Sequence, residues 1–332
     1  MRADVGIDLG TSTVLVYVKG KGVILKEPAV VAIDRNTGEF LAVGEEARQM
    51  LGRTPGNITA IRPLKDGVIS DYDITERMLK YFLKKSINRT FFRPRAIICV
   101  PSGITGVEKR AVIGASNNAG AYKTYIIEEP IAAAIGAGID ITEPDGNIVI
   151  DIGAGTTDVA VIALGGLVVN QSIRIGGDDF DDAITKFIRK KHSMVIGERS
   201  AEALKKSIGC AYKPEIEKYE EVKGRSLVTG LPMNVEVSSS DMLEALSDTV
   251  TEIVSTVYSV LEKTPPELAA DIADKGVVMT GGGALLEGID KLIQDKIGIK
   301  VSIAENPTEC VALGTGKSLE WIEDLNLDIE RN

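Results

Sequence analysis

Apolar residues form two matching series of short runs along the chain. The first series occupies 5–9, 14–18 and 23–25, and the second occupies 148–152, 159–162 and 167–169. In each series, an Asp-x-Gly motif begins within the end of the first run, a threonine-rich turn follows it, and a glycine turn separates the last two runs. Short apolar runs between glycine-rich turns are typical of β-strands. The recurrence predicts a duplicated fold in which two equivalent hairpins face each other.

Helical periodicity appears between and after the two series. Met78, Leu79, Phe82, Leu83 and Ile87 have the spacing of one helix face. We predict further helices at 108–120, 130–138, 178–191, 200–208 and 240–263, with strands at 30–33, 41–44, 97–100, 125–127 and 276–280 and a strand pair within 219–238. Alternation of strands and helices predicts an α/β protein.

Size and charge narrow the function classes. A chain of 332 residues has room for roughly two domains of about 150 residues each. Its net charge of −10 argues against nucleic acid as a partner, because that surface needs clustered basic residues. The cysteines Cys99, Cys210 and Cys310 are too widely spaced for a disulfide framework, which fits a reducing compartment.

Some sites and locations are also disfavoured. The single histidine, His192, excludes a three-histidine zinc site. No apolar run approaches the ~20 residues that a bilayer-spanning helix needs. The first residues enter a strand at once, leaving no room for a signal peptide. We therefore expect a cytoplasmic protein.

The two threonine- and glycine-rich turns are suited to a polyphosphate. Glycine lets the backbone approach closely and direct N–H groups at phosphate oxygens, and hydroxyl groups add donors. The candidate ligands are Gly10, Thr11, Ser12 and Thr13 in the first turn, and Gly153, Ala154, Gly155, Thr156 and Thr157 in the second. Asp8 and Asp151 would repel phosphate, so their useful role is to hold Mg²⁺, through water, beside it.

A third glycine run follows the strand predicted at 276–280. Gly281, Gly282, Gly283 and Ala284 occupy a junction between a strand and a helix. Bare backbone there can pack against a flat base or sugar. The alternative is a plain helix entry. Together with the two turns, the run predicts a nucleoside triphosphate, most simply ATP, in a cleft between two halves.

These elements together resemble a known superfamily. Its marks are Asp8-Leu9-Gly10-Thr11, Glu128-Glu129-Pro130, the second turn from Asp151 to Thr157, and Thr280-Gly281-Gly282-Gly283. The set resembles the actin, Hsp70 and sugar-kinase superfamily. Within it, stretches 52–57, 61–69, 196–199, 264–268 and 280–286 are similar to the MreB family of bacterial actins. The likeness extends from residue 5 to about residue 320.

The resemblance implies an actin-like ATPase fold of two ribonuclease-H-like halves around a nucleotide cleft. One half would comprise 1–145 with about 315–332, and the other 146–314. Each would carry an inserted small subdomain, at 30–66 and 182–242.

The resemblance also implies roles for particular side chains. Glu129 occupies the position that orients or activates the water attacking the γ-phosphate, and with Asp8 and Asp151 it forms the expected catalytic set. Glu128 is the alternative at this position, and both residues could simply favour the start of the next helix. Glu202 and Lys205 are similar to residues that contact ribose and base, or they form an exposed helical pair.

Four positions depart from the family pattern. Ala154 replaces the middle glycine of the second turn, Thr13 and Val14 replace Asn and Thr, and Ser207 stands where an acidic residue is common. An alanine at positive φ would cost ~1 kcal/mol or more, so we expect a reshaped second turn.

Phe91 and Phe92 lie between Arg89, Arg93 and Arg95. Aromatic rings beside cations suit a membrane interface with anionic headgroups. The position is similar to the hydrophobic loop with which MreB proteins bind membrane. The alternative is that the rings cover the core beneath the loop.

By resemblance, the chain is expected to be an ATPase that polymerises into antiparallel double filaments on the inner face of the cell membrane. The filaments would organise peptidoglycan synthesis and maintain rod shape, with MreC, MreD and RodZ as partners. Contacts around 265–272 are expected within the filament. Alternatives are an Hsp70-type chaperone, a sugar kinase, and a non-polymerising relative acting as a specialised chaperone or assembly factor. After Trp321 only a short tail remains for a chaperone's substrate domain, and no aspartate is evident for a sugar hydroxyl.

Overall fold

The computed structural model describes residues 4–87 and 93–320. Its strands are β1 (Asp4–Leu9), β2 (Thr13–Val18), β3 (Gly22–Pro28), β4 (Val31–Asp34), β5 (Phe40–Val43), β6 (Ile58–Ile61), β7 (Leu64–Lys65), β8 (Val68–Ile69), β9 (Arg95–Val100), β10 (Lys123–Glu128), β11 (Asn147–Ile152), β12 (Thr157–Ala163), β13 (Gly166–Ile173), β14 (Met194–Val195), β15 (Tyr219–Ser226), β16 (Pro232–Ser238), β17 (Val277–Thr280) and β18 (Val301–Ile303). Its α-helices are α1 (Glu45–Met50), α2 (Tyr72–Ser86), α3 (Gly106–Ala119), α4 (Glu129–Gly136), α5 (Gly177–His192), α6 (Glu198–Ile208), α7 (Ser239–Lys263), α8 (Pro266–Lys275), α9 (Ile289–Ile297) and α10 (Cys310–Ser318).

Two five-stranded sheets have the same construction. The first has the order β10-β9-β1-β2-β3, and the second has β18-β17-β11-β12-β13. In both, the first three strands along the chain are antiparallel neighbours and the outer two join in parallel. The internal repeat read from the sequence is therefore confirmed as two equivalent sheets, and the predicted α/β class is confirmed with it.

A small sheet accompanies each large one. Strands β5-β4-β6 form a three-stranded sheet near α1, and β14-β15-β16 form another beside α6. These sheets fall within 30–66 and 182–242, where inserted subdomains are expected. The exact boundaries of the two halves stay a prediction.

A shared apolar cluster joins the two large sheets. It contains Ile97 and Cys99 from β9, Val149 from β11, Ile162 from β12, and the apolar face of α4. Val311 of α10 packs into the same cluster. Helices α4 and α10 therefore form the structural link beneath the space between the sheets.

The link between α4 and α10 depends on glycine. A Cβ atom added at Gly136 would overlap the carbonyl oxygen of Cys310, and one at Gly314 would overlap that of Ala132. Interiors packed to crystal-like density have no room for such an atom. The two helix backbones are consequently in direct contact.

Two local expectations need adjustment. The proline pair ends α7 at Lys263 as predicted, but a helix that the periodicity analysis omitted, α8, begins at Pro266. Proline is tolerated in the first turn of a helix, since its missing N–H would have no partner there. After β17 a 3₁₀ turn, Gly282–Leu285, precedes α9. Across 4–87 and 93–320, no helix is long and apolar enough to cross a membrane.

The glycine contact between α4 and α10 gives a stability prediction. We expect Gly136→Ala to lower the free energy of unfolding by about 2–3 kcal/mol, because the methyl group forces the two backbones apart. Gly56→Ala is the control, since a Cβ atom at Gly56 meets no neighbouring atom within 4 Å. Urea denaturation measures both, and equal stability of the two variants would contradict the close approach.

Candidate functional site

A cavity of about 620 Å³ lies between the two large sheets. Both sequence-predicted turns and the third glycine run contribute to its wall. The predicted site residues that line it are Asp8, Gly10, Thr11, Ser12, Thr13, Glu129, Asp151, Gly153, Ala154, Gly155, Thr156, Glu202, Lys205, Gly281, Gly282 and Gly283. The structure thus brings together residues separated by more than half of the sequence.

Two candidate residues do not reach this cavity. Thr157 is completely buried as the first residue of β12, and its hydroxyl donates to the carbonyl oxygen of Ile175 at 2.8 Å. Ala284 is completely buried in the core of the second sheet. Both residues therefore lie in the interior beneath the cavity wall and do not face the ligand space. Phe91 and Phe92 lie outside the residues that the structure describes.

The two turns approach each other closely at the base of the cavity. The first turn also contacts the loop between β7 and β8, because the Gly67 N–H donates to the Thr11 hydroxyl at 3.0 Å. A Cβ atom at Gly155 would lie 2.7 Å from the same hydroxyl oxygen. Glycine at 155 is therefore required for the first and second turns to meet.

Ala154 fits the second turn without strain. The non-glycine residues with positive φ in the described chain are Asp66, Leu164 and Ser193, so Ala154 is not among them. Its carbonyl oxygen accepts from the Asp178 N–H at 2.8 Å. The positive φ that would strain an alanine is therefore absent at position 154, and the reshaping of the turn relative to the family pattern stays a prediction.

The third glycine run packs against the second turn. Gly281 has φ +81°, a conformation that favours glycine, and a Cβ atom there would lie 2.9 Å from Asp151 Oδ1. The Thr280 hydroxyl donates to the same oxygen at 2.7 Å. The end of β17 thus fixes one oxygen of the Asp151 carboxylate.

Four carboxylates gather at the base of the cavity. Removal from water raises the pKa of Asp8 to about 6 and that of Asp151 to about 7. The pKa of Glu129 is raised well above its usual range, first by desolvation and then by repulsion from Asp158, Asp151 and Asp8. Burial of unpaired negative charge is unfavourable, and either protonation or a bound cation relieves it.

Asp158 is a site residue that the sequence reading missed. It is completely buried and pairs with Asp151 across β11 and β12, so both side chains lie on one face of the sheet. Its Oδ1 accepts from the Ser102 N–H at 2.9 Å and from the Ser102 hydroxyl at 2.7 Å. Its Oδ2 has no hydrogen-bond partner among the described residues. The sequence feature that could have identified Asp158 is its position directly after the second turn.

The donor chemistry fits a hydrated Mg²⁺. Asp8 and Asp151 line the cavity, and neither forms an ion pair with a lysine or arginine within residues 4–87 and 93–320. The same residues contain no group of three or more potential ligands close enough to hold a bare ion. Mg²⁺ in proteins commonly keeps several waters and takes one or two carboxylates plus substrate phosphates. The residues present match that mode.

The opposite end of the cavity is formed by α5 and α6. Lys205 Nζ donates to the Gly177 carbonyl oxygen at 2.6 Å and to Asp181 at 2.9 Å. Lys205 and Glu202 are therefore not simply an exposed helical pair. Arg62 and Asp178 also line the cavity, and neither could be found from local sequence pattern because the fold alone brings them there.

Buried charge at Asp151 gives a pH prediction. Its pKa of about 7 in the folded chain exceeds the ordinary 3.8, so its stabilising contribution is complete below about pH 4 and lost as the pH rises through 7. Without nucleotide or divalent cation, we expect Asp151→Asn to gain about 1–3 kcal/mol relative to the wild type between about pH 4.5 and pH 7.5.

Urea denaturation at the two pH values measures this gain. Asp248→Asn, at an exposed position of α7, is the matched control. A stability difference that is equal at both pH values would contradict the assignment of a raised pKa to Asp151.

Comparison with known proteins places this geometry in a family. The MreB/Mbl protein family model matches residues 2–327. The chain is 53% identical to cell shape-determining protein Mbl of Bacillus cereus, over 97% of each chain. It is 51% identical to cell shape-determining protein MreB of Escherichia coli, over 96% of this chain and 94% of the relative.

Solved structures agree with the sequence comparison. MreB5 of Spiroplasma citri bound to AMPPNP superposes with a TM-score of 0.93 at 38% identity, covering 97% of each chain. A MamK double helical filament structure, at 22% identity and a TM-score of 0.83, has the same fold. The predicted actin-like fold is confirmed. The chain belongs to the MreB/Mbl family.

Proposed function

We propose that this chain is an ATP-dependent polymerising bacterial actin that hydrolyses ATP in the cleft between its two sheets. The observation that carries the proposal is the convergence of two equivalent turns and a third glycine run on one cavity. Spiroplasma citri MreB5, of nearly identical fold, is bound to AMPPNP in one structure and to ADP in another. A nucleoside triphosphate is therefore the ligand that best fits the cavity.

The cavity wall supports one orientation of the nucleotide. Backbone N–H groups and hydroxyl groups around Thr11 and Thr156 are suited to the phosphates, since glycine neighbours leave the backbone accessible. The third glycine run and α6 then face the sugar and base. Asp8 and Asp151 would hold Mg²⁺ through water, and the ion would neutralise phosphate charge when bound.

Glu129 is the proposed proton acceptor in hydrolysis. It begins α4 directly after β10 and lines the cavity, whereas Glu128 is not among the cavity residues. Desolvation, together with repulsion from Asp158, Asp151 and Asp8, raises its pKa and so strengthens it as a base. A carboxylate within hydrogen-bond reach of the attacking water can accept its proton.

Self-association completes the proposed function. Two relatives of this chain, Mbl of Bacillus cereus and MreB of Escherichia coli, are named cell shape-determining proteins. We infer that the chain forms antiparallel double filaments that lie on the inner face of the cytoplasmic membrane and organise peptidoglycan synthesis. The elongation machinery, including MreC, MreD and RodZ, would be the partner. Within each filament the subunits would join head to tail. Such contacts do not close into a ring, so they extend into a filament.

Electron microscopy on anionic lipid tests the proposal directly. The purified chain is incubated with Mg-ATP, or without nucleotide, on a lipid monolayer. We expect paired filaments on the lipid only with Mg-ATP. Monomers that still bind ATP would refute the polymerising function and favour a specialised chaperone or assembly factor.

Glu129→Gln separates binding from hydrolysis. The amide cannot accept the proton, so we expect the hydrolysis rate to fall about 10²–10⁴-fold while ATP affinity changes little. Phosphate release and calorimetric ATP titration measure the two quantities. Glu128→Gln is the control, since Glu128 does not line the cavity. A larger loss in Glu128→Gln would reassign the base.

Membrane attachment is tested at Phe91 and Phe92. We expect the double substitution to serine to reduce co-sedimentation with anionic vesicles about tenfold or more, because an aromatic ring that enters the membrane interface contributes several-fold to binding. Val228→Ser is the control, since Val228 is an apolar side chain that is 82% exposed. Unchanged co-sedimentation of the Phe91 and Phe92 variant would assign attachment to another surface.

A further inference from the structure

The two small sheets are connected across the rim of the nucleotide cavity by ion pairs. Arg62, directly after β6, pairs with Glu198 at the start of α6. Arg48 of α1 lies 3.7 Å from Glu202, one turn further along α6. We name these four residues the rim clasp. Each pair joins residues from opposite sides of the cavity.

The rim clasp lies at the boundary between cavity and solvent. Arg62 and Glu202 line the cavity, whereas Glu198 and Arg48 are absent from its wall. The Arg62 side chain is 24% exposed and that of Glu198 is 49% exposed. Each pair therefore has one member facing the ligand space and one facing outward.

Charge on the two helices is complementary over more than the two pairs. Helix α1 carries Glu45 and Arg48 on one turn, and α6 carries Arg199 and Glu202 with the opposite order of signs. The hydrogen bond from Arg48 lowers the pKa of Glu45, and the charge on Arg199 adds to that effect. Arg48 therefore lies opposite Glu202, and the charge of Arg199 acts on Glu45.

Arg62 is also incompletely satisfied. Its Nε is buried and has no hydrogen-bond partner among the described residues. Asp178, on the cavity wall, lies close enough that Arg62 lowers its pKa against the larger raising effect of burial. The guanidinium is thus held between the rim and the cavity wall.

We propose that the rim clasp is a positioning device that keeps the cleft closed over its nucleotide and so slows nucleotide release. The proposal rests on the proposed ATP binding. Arg62 and Glu198 form its principal pair, because Arg62 is the more buried of the two arginines. Arg48 and Glu202 form the second. Glu198 acts only through Arg62, since it does not line the cavity.

Glu198→Arg is the decisive variant. It places two arginines opposite each other without changing any residue of the cavity wall. Dissociation of radiolabelled ATP, chased with unlabelled Mg-ATP at low protein concentration, reports the release rate. We expect release to be about fivefold faster at low salt, the scale of a partly exposed ion pair replaced by repulsion. Arg48→Glu should accelerate release in the same direction and by less.

Salt dependence separates an ion-pair effect from a structural one. At about 1 M salt the screening length falls to about 3 Å, so the release rates of Glu198→Arg and wild type should converge. Lys191→Glu is the matched control, because it breaks the ion pair with Asp241 within one half of the molecule. Its release rate should equal that of the wild type at all salt concentrations.

Each outcome has a defined meaning. Faster release in Glu198→Arg that disappears at high salt supports the rim clasp. Unchanged release at low salt, or faster release that persists at high salt with a lowered melting temperature, overturns it. Failure of the wild-type chain to bind ATP would instead refute the proposed function, so the two failures are distinguishable.

Discussion

The burial of negative charge beneath the nucleotide cavity is the constraint on which the site depends. Four carboxylates lie close together where water is largely excluded, and burial raises the pKa of all four. Such an arrangement destabilises the empty chain, because charged groups are costly to bury without partners. Protonation relieves this cost at low pH, and a cation that enters with a negatively charged ligand would relieve it at neutral pH. The proposed metal-bound polyphosphate would therefore use the same carboxylates that weaken the empty chain.

The duplicated sheet explains how the carboxylates come together. Asp8 and Asp151 occupy equivalent places, each two residues before the first glycine of its turn. Close backbone contact at Gly155 and Gly281 then allows the turns to approach, and a side chain at either position would separate them. The apolar link between α4 and α10 joins the sheets below, so the upper part of the cleft is left for ion pairs such as Arg62–Glu198 to control. The cleft is therefore fixed at its base by packing and at its rim by charge.

Much of the fold could be predicted from local pattern. The repeat of strand, turn and strand predicted the three antiparallel strands of each large sheet, and the polyphosphate turns were predicted from the chemistry of glycine and threonine. Helix α8 was missed because proline both ends one helix and begins the next. Thr157 and Ala284 were assigned to the site because sequence proximity does not show which way a residue faces. Arg62 and Asp178 were missed because only tertiary structure brings them to the cavity. Asp158 directly follows the second turn, but it was missed because its proximity to the site depends on its pairing with Asp151 across two strands.

The most direct test of the account is a calorimetric titration of ATP into the wild-type chain with Mg²⁺ and, separately, with EDTA. We expect one ATP-binding site per chain. ATP affinity should be at least about tenfold weaker in EDTA, because the buried carboxylates then face the phosphates without a cation. Equal affinity under the two conditions would contradict the role assigned to Asp8 and Asp151. Absence of binding under both would contradict the nucleotide cleft itself.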